Sequence, residues 1–92
     1  MTVDTVRVRV VVRGRVQGVW FRDSCREVAR REGVGGFVRN ASDGTVVAEL
    51  EGAAPAVDRV VTWCRQGPPR ARVDAVAVET VPQLGDQRFR VL

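Results

Sequence analysis

Residues 6–32 read VRVRVVVRGRVQGVWFRDSCREVARRE, and the hydrophobic period changes once within them. Over 6–13, Val6, Val8, Val10 and Val12 alternate with Arg7, Arg9, Val11 and Arg13. A period of two with one polar side predicts a half-buried strand, its arginines turned to solvent. Over 21–32 the spacing becomes helical. Phe21, Cys25, Val28 and Ala29 share one face, and Arg26, Glu27, Arg30 and Arg31 fall outside it. Asp23 in the first turn and Arg30 with Arg31 in the last suit the helix dipole, and Gly33 supplies the stop. Strand and helix are joined by GRVQGVWFR, residues 14–22.

Working outward, 36–40 (GFVRN) and 45–51 (TVVAELE) read as two strands around Ala41-Ser42-Asp43-Gly44. Asp-Gly at a tight turn is a strong hairpin signal. Val46, Ala48 and Leu50 make the apolar side of the second of these strands, opposite Val47, Glu49 and Glu51. Pro55 opens a second helix, where its missing N–H costs little. Val57, Val60, Val61 and Cys64 form its buried stripe, with Trp63 at the edge, and Gly67-Pro68-Pro69 ends it. A strand over 73–80, with Val76 and Val78 as its core pair, and a short strand over 89–92 complete the chain. The order predicts an α+β, ferredoxin-like (βαββαβ) sandwich: an antiparallel sheet with two helices on one face and a short C-terminal strand. The strands should be apolar toward the helices and polar outward. With 92 residues and no repeat, linker or composition break, residues 1–92 are expected to form a single domain.

Composition narrows the class. Hydrophobic residues make up 45%, enough for a core that must be largely valine, since aromatics are 5% and Tyr is absent. The net charge of +4 favours anions in general, without separating nucleic acid from a phosphorylated metabolite. All 15 basic residues are arginine, a bias that a GC-rich genome also produces. Arg7 and Arg9 interrupt the amino-terminal valines, so no secretory h-region forms, and no apolar run approaches the ~20 residues of a membrane span. The expected location is cytoplasmic, with no membrane partner. Cys25 and Cys64 sit in the predicted helices without a CxxC pairing or any His, which predicts buried reduced thiols and no metal site.

The joining stretch offers an anion a backbone cradle. Amides from Arg15 to Trp20 can converge if Gly18 takes a conformation closed to other residues. Arg22, at the base of the helix, can make paired charge-assisted bonds to phosphate oxygens. The spacing is not that of a nucleotide P-loop. The same residues also suit an ordinary tight turn with solvated arginines. Arg15 and Gln17 are expected to face solvent, and Val16, Val19 and Phe21 to pack. Asn40, at a strand end before the hairpin turn, is a second candidate, although Asn there also serves simply by bonding its own backbone. With no His and with core-facing cysteines, a Ser-His or Cys-His nucleophile is set aside. An enzyme of this composition needs a reaction with little acid–base demand. Acyl phosphate hydrolysis qualifies, because its carboxylate leaving group, with a conjugate-acid pKa of about 4, departs unprotonated.

Two longer patterns carry a resemblance. Gly14 to Arg22 resembles the acylphosphatase signature G-R-V-Q-G-V-x-F-R. Gly36-Phe37-Val38-Arg39-Asn40 followed by Asp43-Gly44-Thr45-Val46 resembles its second, G-[WF]-V-x-N-x-x-D-G-x-V, and Gly67-Pro68-Pro69 also fits. The resemblance covers nearly the whole chain. It implies metal-free, cofactor-free hydrolysis of the carboxyl–phosphate bond by a monomer, acting on a small-molecule acyl phosphate and releasing inorganic phosphate. Phosphate would be held by the amides of Arg15, Val16, Gln17, Gly18, Val19 and Trp20 and by the Arg22 guanidinium. Asn40 would position the attacking water, making Arg22 and Asn40 the catalytic pair. Phe37 stands where Trp is common, Ala41 lacks a hydroxyl that some members carry, and Trp20 replaces smaller residues at the mouth of the site. Two alternatives stand beside this: a non-catalytic phosphate-binding module, and an RNA-binding ferredoxin-like module. The latter lacks stacking aromatics on its first strand, so no nucleic acid partner is expected.

Overall fold

The computed structural model describes residues 4–92; the amino-terminal reading falls in part on residues 1–3, outside them. Seven elements follow in order: β1 Thr5–Arg15, α1 Phe21–Arg31, β2 Gly35–Asn40, β3 Val46–Ala53, α2 Ala54–Gln66, β4 Arg72–Thr80 and β5 Phe89–Val91. They form one five-stranded sheet in the order β4-β1-β3-β2-β5. Helix α1 rests on β2 and β5, α2 rests on β1, β3 and β4, and the helices touch each other. This is the expected ferredoxin-like α+β plan with one amendment, that the sheet is mixed. β1 lies antiparallel to β3 and β4, and β2 to β3, but β5 runs parallel to β2. The reason is geometric. Residues 81–88 return the chain at the end of the sheet where β4 stops, so β5 must run opposite to β4, which is the direction of β2. Crossing from one edge to the other takes four strand spacings of about 4.8 Å, roughly 19 Å, within the reach of eight residues at about 3.3 Å each.

The core forms where both periods point. Val10, Val12, Val38, Val46, Ala48 and Leu50 from the sheet meet Phe21, Cys25, Ala29, Val57, Val60 and Cys64 from the helices. The Phe21 and Trp63 rings lie 5.1 Å apart and tilted by 58°. Burying a side chain of Phe21's size stabilises by about 2–3 kcal/mol and pins the first residue of α1, and hence the loop before it. Past α1, Gly33 N–H donates to the Arg30 carbonyl and Val34 N–H to that of Ala29, closing the helix with local bonds. Cys25 and Cys64 are buried and free. A hydrogen bond with Cys64, then burial, pushes the Cys25 thiol well above its ordinary range, so it packs rather than reacts.

Two expectations about strand faces need correction. The outward side of β1 and β3 is not simply solvated. Arg7 is 1% exposed, and Glu49 and Glu51 are buried with it. Arg7 Nε donates to Glu49 Oε1 at 2.8 Å and its Nη1 to Glu51 Oε1 at 2.9 Å. Residues 81–88 cover the group: the amides of Leu84, Gly85 and Asp86 all donate to the Glu51 carboxylate. In β4, Val76 is half-buried but Val78 is 41% exposed. β4 is an edge strand that the helix layer covers only in part, so its inward valines are not a sealed core pair.

Candidate active site

β1 does not end cleanly. Its register with β4 shifts between Arg13 and Gly14, where Gly14 takes φ 132°. A Cβ there would collide with the Arg72 carbonyl, so the bulge needs glycine. Beyond it, Val16 and Val19 are buried among the core residues, as their packing role requires. Gly18 (φ 73°) and Trp20 (φ 68°) are both left-handed, with Val19 between them. Interleaving left-handed residues with others turns successive amides toward one side and makes an anion-binding concavity. Among the described residues, the amides of residues 17–20 donate to no protein acceptor. The first bond of α1 runs from Ser24 N–H to the Trp20 carbonyl, leaving the helix start open toward the loop.

This loop forms one wall of a cavity of about 290 Å³ lined by Val16, Gly18, Trp20, Phe21, Arg22, Asp23, Asn40 and Val91. Arg22, in the first turn of α1, donates from Nη1 to the Leu92 carbonyl at 3.2 Å. Asn40 closes β2, where it pairs with Val46 of β3. Its Oδ1 is buried and accepts no hydrogen bond from the described residues. A buried amide oxygen without a donor is costly unless a ligand or water supplies one. Trp20 stands at the rim, 69% exposed in a left-handed conformation that is strained for an aromatic residue.

The hairpin beyond Asn40 is tightly braced. Gly44 N–H donates to the Ala41 carbonyl at 3.1 Å and Ala41 N–H to that of Thr45 at 2.8 Å. Asp43 Oδ1 accepts from the Thr45 hydroxyl at 2.7 Å and from its amide at 3.0 Å. The Thr45 side-chain bond, followed by its backbone bond, holds the Asp43 carboxyl below its ordinary value.

Of the residues singled out from sequence, Val16, Gly18, Trp20, Arg22 and Asn40 meet at the cavity. Val19 turns into the core, and Arg15 is exposed at the end of β1, opposite Arg72. Gln17 departs from expectation. It is half-buried, and its Nε2 donates to the carbonyls of Ala41 at 2.7 Å and Thr45 at 3.0 Å. Asp23, Val91 and the Leu92 carbonyl were not anticipated at the site; only tertiary contacts bring the last two there. No group of three or more His, Cys, Asp or Glu suited to a metal ion occurs among the described residues. No helix among them is long and apolar enough to cross a membrane.

Strand, loop and helix, facing a hairpin that presents an amide side chain, define a ferredoxin-like α+β protein with a cleft between loop and hairpin. Comparison with known proteins narrows this further. The Acylphosphatase family profile matches residues 8–91. An acylphosphatase of Rubrobacter xylanophilus is 61% identical over 85 residues, covering 92% of this chain and 77% of that protein. One from Anaeromyxobacter dehalogenans is 58% identical over 83 residues, covering 90% and 89%. The structure of an acylphosphatase from Coxiella burnetii superposes with a TM-score of 0.92 at 34% identity, covering 97% of this chain and 94% of that one. The chain belongs to the acylphosphatase family, and its function is that of an acylphosphatase rather than of a silent or RNA-binding module.

Proposed function

We propose that this enzyme binds the phosphate of a small acyl phosphate between the amides of residues 15–20 and the Arg22 guanidinium, and that Asn40 orients the water that attacks it. The observation that carries the reading is that Asn40, whose buried Oδ1 has no partner among the described residues, lines the same cavity as Gly18, Trp20 and Arg22. An amide oxygen so placed suits accepting a hydrogen bond from water, which leaves the lone pair of the water oxygen free to be aimed at phosphorus.

The chemistry asks little else of the protein. Water adds to phosphorus as the bond to the carboxylate oxygen breaks, through a loose transition state with charge spread over three phosphoryl oxygens. Loop amides and Arg22 are donors suited to those oxygens, and the planar guanidinium fork can engage two at once. The carboxylate leaves as an anion, so no general acid is required. The water proton passes to a phosphate oxygen, giving inorganic phosphate without a covalent enzyme intermediate. Positive charge at the phosphate comes from Arg22 and the oriented amides, which supports turnover without metal or cofactor. The same reading takes residues 1–92 as a single domain acting as a cytoplasmic monomer, with neither nucleic acid nor membrane as partner.

The test is hydrolysis of acetyl phosphate and benzoyl phosphate in EDTA, by wild type and by Asn40→Ala. Wild type is expected to turn over both substrates at undiminished rate with the chelator present. Asn40→Ala is expected to lose turnover while binding inorganic phosphate nearly as well as wild type. A requirement for added metal would overturn the metal-free mechanism. Near-normal turnover by Asn40→Ala would remove the water-orienting role.

A further inference from the structure

The anion loop and the hairpin that bears Asn40 are different parts of the chain, and β1 and β2 are not neighbours in the sheet. Their separation matters, because phosphorus would sit against one and the attacking water against the other. One side chain joins them directly. Gln17 Nε2 uses a single NH2 group to reach two carbonyls, Ala41 at 2.7 Å and Thr45 at 3.0 Å.

Those two carbonyls belong to the pair that closes the hairpin, since Ala41 N–H also donates to the Thr45 carbonyl. Ala41 directly follows Asn40, and Thr45 directly precedes Val46, the residue paired with Asn40 across the ladder. At its other end, Gln17 directly precedes Gly18, the left-handed residue at the cavity wall. The bonds therefore run from one residue before the cradle glycine to one residue after the water-orienting amide. The chemistry of the group fits the place. Two carbonyls need two donors on one atom, and a neutral primary amide supplies them without an uncompensated charge. The opposite amide orientation would set Oε1 against two carbonyl oxygens, so the partners fix the assignment.

We propose that Gln17 is a positioning residue for hydrolysis: it sets the distance between the phosphate cradle and Asn40, touching neither phosphate nor water with its side chain. The inference rests on the Asn40 reading above. A misplacement on the order of 1 Å costs about 10²-fold in rate when reacting groups must be aligned. Phosphate binding, by contrast, needs only the loop and Arg22. The clamp thus predicts a split between turnover and binding that a general loss of stability would not produce.

The experiment uses Gln17→Met, which keeps length and removes both donors, alone and combined with Asn40→Ala. Turnover of benzoyl phosphate and inhibition by inorganic phosphate are measured below the unfolding range of each variant. Gln17→Met is expected to lower kcat by about 10²-fold, with the phosphate inhibition constant changed by less than ~3-fold, a free-energy difference under about 0.7 kcal/mol. The residual turnover of Asn40→Ala, read at high enzyme concentration, is expected to change little when the same substitution is added, because there is no oriented water left to misplace. Should Gln17→Met fail to fold, Gln17→Ala, neutral and leaving room for water at this half-buried position, is read in the same way. Wild-type kcat in the single variant, an equal loss in phosphate binding, or full additivity with Asn40→Ala each overturns the proposal. If Asn40→Ala alone keeps its turnover, the Asn40 reading fails, and the reason for the clamp fails with it. If Asn40→Ala is inactive and Gln17→Met is not, only the clamp is wrong.

Discussion

Arg7→Met removes a cation that is 1% exposed and holds two buried carboxylates. Removing one partner of a buried ion pair costs about 3–5 kcal/mol, because the charge left behind has lost its compensation. Here the low end applies, since neither carboxylate is stranded. Glu49 keeps two bonds from Arg9, at 3.1 and 2.9 Å, and Glu51 keeps three amides, at 2.8, 2.7 and 3.1 Å. A loss of about 3 kcal/mol is therefore expected, against a total stability of about 5–14 kcal/mol for a chain of this length. For a domain of this size that lowers Tm by about 12–24 °C, read by far-UV circular dichroism at pH 7.

The pH dependence supplies a second arm. Burial works to raise the Glu49 carboxyl, but the bonds from Arg7 and Arg9 outweigh it and hold it below its ordinary value of 4.5. The Leu84 amide first, then Arg7 and the Gly85 amide, hold Glu51 below 4.5 as well, against the effect of burial. A carboxyl whose folded pKa is depressed contributes stability above its unfolded pKa and loses it as pH falls through the folded one. Wild type should thus hold its Tm above about pH 5 and lose it progressively below about pH 4.5. Arg7→Met weakens both depressions, so its Tm should fall less steeply with acid, and the gap between the two proteins should narrow toward pH 3. A loss under about 1 kcal/mol at pH 7, the worth of a surface pair, would refute the reasoning. So would a gap that stays constant with pH.

Two further substitutions probe the loop, and one probes the guanidinium. Gly18→Ala meets nothing within 4 Å of the added Cβ, so its cost is the left-handed backbone alone, about 1–2 kcal/mol, with weaker phosphate inhibition as the loop relaxes. Gly14→Ala adds a collision with the β4 backbone at Arg72 and Asp74 to its positive φ, and should destabilise clearly more in urea unfolding. Equal midpoints for the two would show that the bulge accommodates a side chain. Arg22→Lys keeps the charge and loses the planar fork, so the inhibition constant for inorganic phosphate should rise by about tenfold or more. An unchanged constant would remove Arg22 from phosphate binding.

Much of this molecule can be read without its structure, and the reason is local. The change from period two to period 3.6 across residues 14–22 places all four ends of β1 and α1 within two residues of those observed. Pro55 near the start of α2, Gly67 at its end and Asp43-Gly44 in the hairpin mark boundaries through their own backbone constraints. Residues whose neighbours in space are also neighbours in sequence are legible in this way. Arg7 is the counter-example. Alternation turns it away from the helices, and there it points, yet a segment more than 70 residues later closes over it. Val78 fails in the opposite sense, since its pattern is that of a core residue but β4 lies at an edge.

The candidate site divides along the same line. GRVQGVWFR by itself specifies a glycine-permitted turn, a helix start and a cation at its base, because φ, capping and dipole act over a few residues. Whether those features face anything is a matter of strand order. β3 between β1 and β2, and β5 beyond β2, place Asn40, Val91 and the Leu92 carbonyl beside the loop. Gln17 shows the limit most plainly. Its sequence neighbours give no reason to bury an amide, and its two acceptors lie 24 and 28 residues away. The chain alone determined which pieces exist; long-range pairing, paid for by loop closure and returned by the shared core, decided which of them meet.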